Sequence, residues 1–242
     1  MTHASVILAA GKGTRMSSDL PKVLHEVAGR PMVAHVIDAV KPLCGERVYL
    51  VVGYRADEVI DGLRGCGVTF VLQEEQLGTG HAVLRCEQAL ADFEGTVVVL
   101  NGDVPCLSAD TVRELCDFHT ERRAAATVLT AELDDPTGYG RIVRDEAGAL
   151  AAIVEEKDAD AATRRVREIN SGLFCFEKAR LFDALAETGR DNAQNEYYLT
   201  DVIRVLKTKG ERVEGYCVGD AREVAGVNTD RELQGVREYL RG

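Results

Sequence analysis

Positive charge is scarce in this sequence. Lysine and arginine together number 29 against 40 aspartates and glutamates, a net charge of −11, and no Lys/Arg block offsets the excess. That balance excludes a nucleic-acid-binding surface. Long apolar runs are missing too: none approaches the ~18 residues needed to cross a bilayer, which excludes a membrane-spanning helix, and no membrane partner is expected. The opening "MTHASVILAAGKG" has no basic region and too short an apolar stretch for a secretory signal. Seven scattered cysteines, odd in number and without any CxxC pair, exclude a zinc ribbon and a disulfide framework. They read as small, reduced core thiols, and with the absent signal they point to the cytoplasm. The five histidines form no HExxH or other metal spacing, and none is assigned a role. Repeats, low-complexity tracts and linkers are also absent, so residues 1–242 read as one domain.

What is present is a hydrophobic fraction of 45%, enough for a sizeable core. Short Val/Ile/Leu runs alternate with segments of helical period, the pattern of a parallel sheet covered by helices. Strands are expected at 5–10, 47–53, 68–73, 95–103 and 124–133. Helices are expected from Pro31, over 56–63, over 80–90 and after Ser108, a good N-cap. From Thr137 the texture changes. "GYGRIVRDEAGALAAIVEE" reads as two strands around a turn at "DEAG", and "REINSGLFCFE" as one more. Helices at 179–187, 199–209 and 229–240 follow, with short strands near 213–217 and 223–227. The fold class is therefore α/β: a doubly wound, mostly parallel Rossmann-like sheet with an inserted mixed-sheet lobe.

One stretch runs against the acidic background. In "VILAAGKGTRMSSDLPKVLH" a strand runs into two glycines, and Lys12, Arg15 and Lys22 follow. Ligands of open α/β sheets sit beyond the carboxyl ends of the strands. Gly11 and Gly13 let backbone N–H groups approach an anion closely, and the three cations can neutralise phosphate oxygens. This is neither of two familiar phosphate loops. A Walker A loop needs Gly at Val6 and Ser or Thr at Gly13, and the dinucleotide fingerprint needs a small residue at Met16.

The string "LAAGKGTRMSSDLPKVLHEVAGRPM" resembles the opening of sugar-1-phosphate nucleotidylyltransferases, most closely the uridylyltransferase half of the bifunctional enzymes that make UDP-N-acetylglucosamine. The resemblance continues in order through "QEEQLGTGHAV", "LNGDVPCL", "GYGRI", "IVEEKDA", "EINSGLF", "NAQNEYYLTD" and "VAGVNTDREL". That family usually continues into a left-handed β-helix of hexapeptide repeats that carries an acetyltransferase and builds a trimer. No such repeats occur in these residues, so acetyl transfer is not expected, and an oligomer is possible but not predicted.

The resemblance implies a nucleotide-diphospho-sugar transferase fold with a sugar-binding lobe, and it distributes roles. Leu8, Ala9, Ala10, Gly11 and Gly13 would lie against the nucleotide. Gln73, Gly78 and Thr79 match its pyrimidine-recognition strings, and a Gln amide offers a donor and an acceptor to a uracil edge. Asn101, Gly102 and Asp103 end the most continuous strand, where Asp103 with Asn228 would hold Mg²⁺. Read alone, Asp103 at a strand's carboxyl end suits a metal, with a turn or cap carboxylate as the alternative, whereas Asn228 reads as an N-cap of the last helix. Gly140, Glu155 and Asn170 match the sugar-phosphate side, with Glu196, Tyr197 and Thr200 nearby. Glu155 read alone belongs to a solvated acidic run.

The implied reaction is UTP plus N-acetylglucosamine 1-phosphate giving UDP-N-acetylglucosamine and pyrophosphate, with Arg15 and Lys22 as catalytic cations. The alternatives are another sugar-1-phosphate nucleotidylyltransferase, using TTP or glucose 1-phosphate, and a catalytically silent nucleotide-sugar sensor.

Overall fold

A computed structural model of the chain describes residues 2–13, 16 and 18–240. Its first strand, β1 (His3–Ala9), is covered on both faces, as an unbroken apolar run requires. A small hairpin follows, β2 (Glu26–Val27) and β3 (Arg30–Pro31), then α1 (Met32–Cys44), β4 (Val48–Val52), α2 (Ala56–Gly62), β5 (Thr69–Leu72), α3 (Thr79–Leu84) and β6 (Thr96–Asn101). The second half contributes α4 (Ala109–Arg122), β7 (Ala126–Glu132), β8 (Gly140–Arg144), β9 (Leu150–Val154), β10 (Glu168–Glu177), α5 (Lys178–Leu185), α6 (Asp201–Thr208), β11 (Val213–Cys217) and α7 (Asp230–Tyr239).

The main sheet has the order β11-β7-β10-β6-β1-β4-β5. All of these run parallel except β10, which is antiparallel to both β6 and β7. The inserted lobe is the β8–β9 hairpin, which joins the sheet through antiparallel pairing of β8 with β10. Alternate residues of each strand feed opposite cores. Val6, Val97 and Val99 pack under α3, α5 and α6, while Ile7, Val98 and Leu100 pack under α1, α2 and α4. Each such fully buried aliphatic side chain contributes roughly 1.5–3 kcal/mol. A third cluster seats Leu233 and Val236 of α7 against Met16, Val27 and Met32.

The topology fixes where a ligand can bind. From β1 the chain steps one way to β4 and β5, then returns to place β6 on the other side of β1. The crevice beyond the carboxyl ends of β1 and β6 is the switch point of the sheet.

Several local expectations need correction. Pro31 precedes α1 as its N-cap rather than taking the first helical position. The segment expected to be helical over 80–90 is helical only to Leu84 and continues as turns. The strand expected at 223–227 is instead a 3-10 turn at Ala221–Val224, with the Asp220 side chain accepting from Arg222 N. Its one fully covered apolar side chain, Val224, packs against the core without a sheet edge to pair with. All seven cysteines are free thiols, five of them buried, and burial pushes Cys44 and Cys86 up to about 12.

Candidate active site

Two cavities open at the switch point, of about 270 Å³ and 220 Å³. Both are lined by Leu8, Thr79, Asn101 and Asp103, so they meet across the ends of β1 and β6. The first also takes Ala9, Ala10, Gly11, Lys22, Gln73, Gly78 and Glu196. The second takes Gly140, Glu155, Asn170, Thr200 and Asn228. Residues separated by most of the chain are thus sorted into two halves of one cleft.

The glycine turn behind β1 presents a row of backbone amides. The amides of Gly11, Lys12 and Gly13 donate to no described residue, leaving consecutive N–H groups available. Gly13 has φ +64°, and a Cβ there would lie 2.7 Å from the Cβ of Lys22. Glycine is therefore needed twice, for the left-handed backbone and to admit the lysine stem. Lys12 sits over the Tyr54 ring, 5.5 Å from its centroid. Arg15 lies outside the described residues.

At the seam of the cavities, the Lys22 ammonium pairs with Asp103 Oδ2 and donates to Asn228 Oδ1 at 3.0 Å. Asn228 reaches this point because Thr229, not Asn228, caps α7. The Thr229 hydroxyl accepts from Glu232 N, and the Glu232 carboxylate accepts from Thr229 N and Asn228 N. The backbone helps as well, since Val227 N donates to Asp103 O at 2.9 Å. A carboxylate and an amide oxygen that converge on one cation form a hard-oxygen pair suited to a divalent metal ion. No group of three or more His, Cys, Asp or Glu that could hold a metal occurs among the described residues. Such an ion would need further oxygens from phosphate or water.

On the first side, the loop before α3 is stitched to the segment before α6. Tyr197 N donates to Leu77 O, Gly80 N to Tyr197 O, and Leu199 N to Thr79 Oγ1. Gly78 has φ +113°, and a Cβ there would stand 2.5 Å from Tyr197 O, so only glycine lets the two segments close. Gln73 is buried, and its Nε2 donates to Gly78 O at 3.1 Å and lies 3.0 Å from His81 Nδ1. Sequence reasoning gave His81 no role. Its only signal was a position two residues beyond Thr79.

On the second side, β10 breaks register between Asn170 and Phe174. Gly172 sits there at φ +79°, and Asn170 Oδ1 accepts from its N–H at 2.9 Å. Bulges of this kind aim side chains into sites. Glu155 does not lie on a solvated face as its acidic run suggests. It is half-buried, its Oε1 accepts from the Thr200 hydroxyl at 3.0 Å, and Gly140 leaves room for its other oxygen. Burial raises its pKa above the ordinary glutamate range, opposed by the Thr200 hydroxyl and reinforced by Asp158 and Asp201.

Three expected residues stand apart, the first of them Gly13, which lines neither cavity. Gly102 lines neither cavity: its N–H donates to Leu8 O, and a Cβ would press on that oxygen, Val23 and Val33. Tyr197 is drawn in only through its backbone, because its ring faces a separate cavity beside Leu185 and Thr188. Glu196 lies on the first side, not the second.

Glu155 sets a pH-dependent stability. Between the ordinary glutamate value and the raised one the native state holds a proton that the unfolded chain has lost, so stability falls as pH rises through that window. Glu155→Gln is expected to melt a few degrees above the parent at neutral pH. The difference should vanish as pH falls below the ordinary glutamate value, where both states are protonated. Thermal denaturation at several pH values checks this, and an unchanged or lower midpoint at neutral pH would contradict it.

The chain is similar to several known proteins. Bifunctional protein GlmU of Brevibacillus brevis is 53% identical over 239 residues, covering 99% of this chain and 51% of that protein. GlmU of Halalkalibacterium halodurans is also 53% identical, over 93% of this chain and 49% of that protein. The chain thus spans about half the length of these curated relatives. Among solved structures, UDP-glucose pyrophosphorylase complexed with UDP-glucose superposes with a TM-score of 0.78 at 18% identity. It covers 100% of this chain and 99% of that one, a likeness of fold. No helix among the described residues is long and apolar enough to cross a membrane. The family described as the MobA-like NTP transferase domain matches residues 5–199, most of the sheet and most of the cleft, and the chain belongs to that family.

Proposed function

We propose that the protein is a uridylyltransferase that joins UTP to N-acetylglucosamine 1-phosphate, releasing pyrophosphate and forming UDP-N-acetylglucosamine. The observation that carries this reading is the seam. Two cavities share Asp103, and a lysine ammonium is held between them. A nucleotide in the first cavity and a sugar phosphate in the second would bring their phosphates together there. The half-length match to GlmU supports the same reaction.

The chemistry asks little of proton transfer. A phosphate monoester has a second pKa of about 6, so the attacking oxygen is already ionised at neutral pH. That oxygen forms a bond to the α-phosphorus while the bond to the β-bridging oxygen breaks, and the electron pair leaves with pyrophosphate. The obstacle is repulsion between two anions, which only local positive charge cancels. Lys22 supplies it beside the α-phosphate, the Gly11–Gly13 amides hold the rest of the triphosphate, and Arg15 screens the departing charge. Asp103 and Asn228 would hold Mg²⁺, which when bound neutralises phosphate oxygens. Glu155, Asn170 and Thr200 provide polar partners for sugar hydroxyls and the acetamide. Glu155→Gln is accordingly expected to raise the KM for the sugar phosphate more than that for UTP.

Pyrophosphate release with Mg²⁺ tests the reading, run across UTP and TTP and across N-acetylglucosamine 1-phosphate and glucose 1-phosphate. The UTP and N-acetylglucosamine 1-phosphate pair should exceed every other combination by about tenfold or more, on the scale of a few lost contacts. Equal rates with TTP or glucose 1-phosphate would overturn the assigned substrates. Nucleotide binding without turnover would overturn catalysis altogether.

A further inference from the structure

We infer that His81 fixes the orientation of the Gln73 amide and thereby makes the first cavity read a base that donates a proton, rather than one that accepts. The inference rests on the proposed use of a uridine nucleotide and assigns the origin of its base preference.

Gln73 has almost every polar atom committed. Its backbone N–H donates to Val52 O at 2.8 Å, and its carbonyl accepts from Gln76 Nε2 at 3.1 Å. The side-chain nitrogen faces Gly78 O, which can only accept, so the –NH₂ must point that way. Its second hydrogen is directed at His81 Nδ1, 3.0 Å away. A hydrogen bond there requires a lone pair on Nδ1, so His81 carries its proton on Nε2. Gln73 Oε1 receives no hydrogen bond from any described residue, and the side chain lines the first cavity. What the cavity presents at this point is therefore a bare acceptor.

An acceptor complements the N3–H of uracil. It opposes cytosine, whose N3 is itself an acceptor. If the amide turned over, –NH₂ would face the cavity and the preference would reverse. Gly78 O alone opposes that turn weakly, because Gly78 O also accepts from Ala82 N. His81 adds the second restraint, and it is well placed to hold it. The residue lies on α3, and its ring rests 6.5 Å from that of Tyr197 at a tilt of 34°. His81 touches no part of the cavity where the base would lie and is a positioning residue.

The test compares kcat/KM for UTP with that for CTP, using N-acetylglucosamine 1-phosphate, in the parent, His81→Phe and His81→Asn. Phenylalanine keeps a ring against Tyr197 but removes the acceptor. Asparagine can place Oδ1 where Nδ1 stands. The UTP-to-CTP ratio should fall roughly tenfold or more in His81→Phe and stay within about threefold of the parent in His81→Asn. A ratio unchanged in a folded His81→Phe protein, or one that falls equally in both variants, overturns the inference. Failure of the parent to use UTP would instead be a failure of the proposed function, and it is visible before either variant is made. Should His81→Phe not fold, His81→Leu, which likewise offers no acceptor, takes its place. A UTP-to-CTP ratio equal to that of the parent would then overturn the inference, and a lowered ratio would support it.

Discussion

Replacing Lys22 by alanine is expected to lower turnover by about 10²-fold or more while the protein stays folded, the scale of losing one preorganised charge at a developing anion. The Lys22 and Asp103 side chains are each 16% exposed, so solvent screens this pair less than a surface pair. Yet the lysine is not a core residue. Its loss should move the thermal midpoint by no more than a few degrees, because Asp103 and Asn228 retain access to water. The KM for UTP should rise less than kcat falls, since on this reading the glycine-turn amides would still hold the triphosphate. Lys22→Arg keeps a positive charge but spreads it over a planar fork on a different stem, and should recover only part of the rate. Near-normal pyrophosphate release by a folded Lys22→Ala protein would remove the lysine from the chemistry.

How far the sequence foretold this arrangement depended on the range of the interaction. Contiguous features were legible. Gly11 and Gly13 sit in a turn directly behind β1, and Ser108 caps α4 with its hydroxyl accepting from Thr111 N at 3.1 Å. The strand Val213–Cys217 fell where its residues suggested. The β2–β3 hairpin was missed because its turn is Ala28-Gly29 with both residues at positive φ, and alanine seldom takes that conformation. No local pattern reveals that β10 runs antiparallel between β6 and β7. That placement follows from long-range packing, and it brings Asn170 beside Gly140.

The site divides in the same way. The fold brings Lys22 together with Asp103, 81 positions away, and with Asn228, 206 positions away. From sequence, Asp103 stood out by its place at a strand's carboxyl end, whereas the role of Asn228 rested on family resemblance. Asn228 read by itself suggested an N-cap. The preference of α7 for the Thr229–Glu232 capping box is what lets its side chain turn toward Lys22 instead. Glu155 looked like part of a solvated run because an acidic string carries no record of which member turns inward. His81 was invisible for a related reason. Its contact with Gln73 depends on the Gly78 turn, which exists only because residues 196–199 close upon it.

The second large effect belongs to Asp103→Asn, which is expected to abolish measurable pyrophosphate release, a fall of about 10³-fold or more. The substitution keeps shape and an oxygen but removes the only formal negative charge among the three converging groups, so a divalent ion loses its anionic ligand. Two explanations for the loss compete: Asp103 could merely hold the Lys22 ammonium in place, or it could hold a metal ion. They differ in the response of the residual rate to Mg²⁺. If the carboxylate only positions Lys22, then Lys22→Ala and Asp103→Asn should have similar residual rates, and the double variant should be no slower than either. Both would then keep the parent's Mg²⁺ dependence. If it holds the ion, Lys22→Ala should keep saturable Mg²⁺ dependence, whereas Asp103→Asn should need far higher Mg²⁺ or fail to respond. The geometry favours the second outcome. Asn228 Oδ1 and Asp103 Oδ2 meet at one point from separate elements, an arrangement that a lysine anchor alone would not need. A residual rate in Asp103→Asn with the parent's Mg²⁺ midpoint would refute metal binding at this pair.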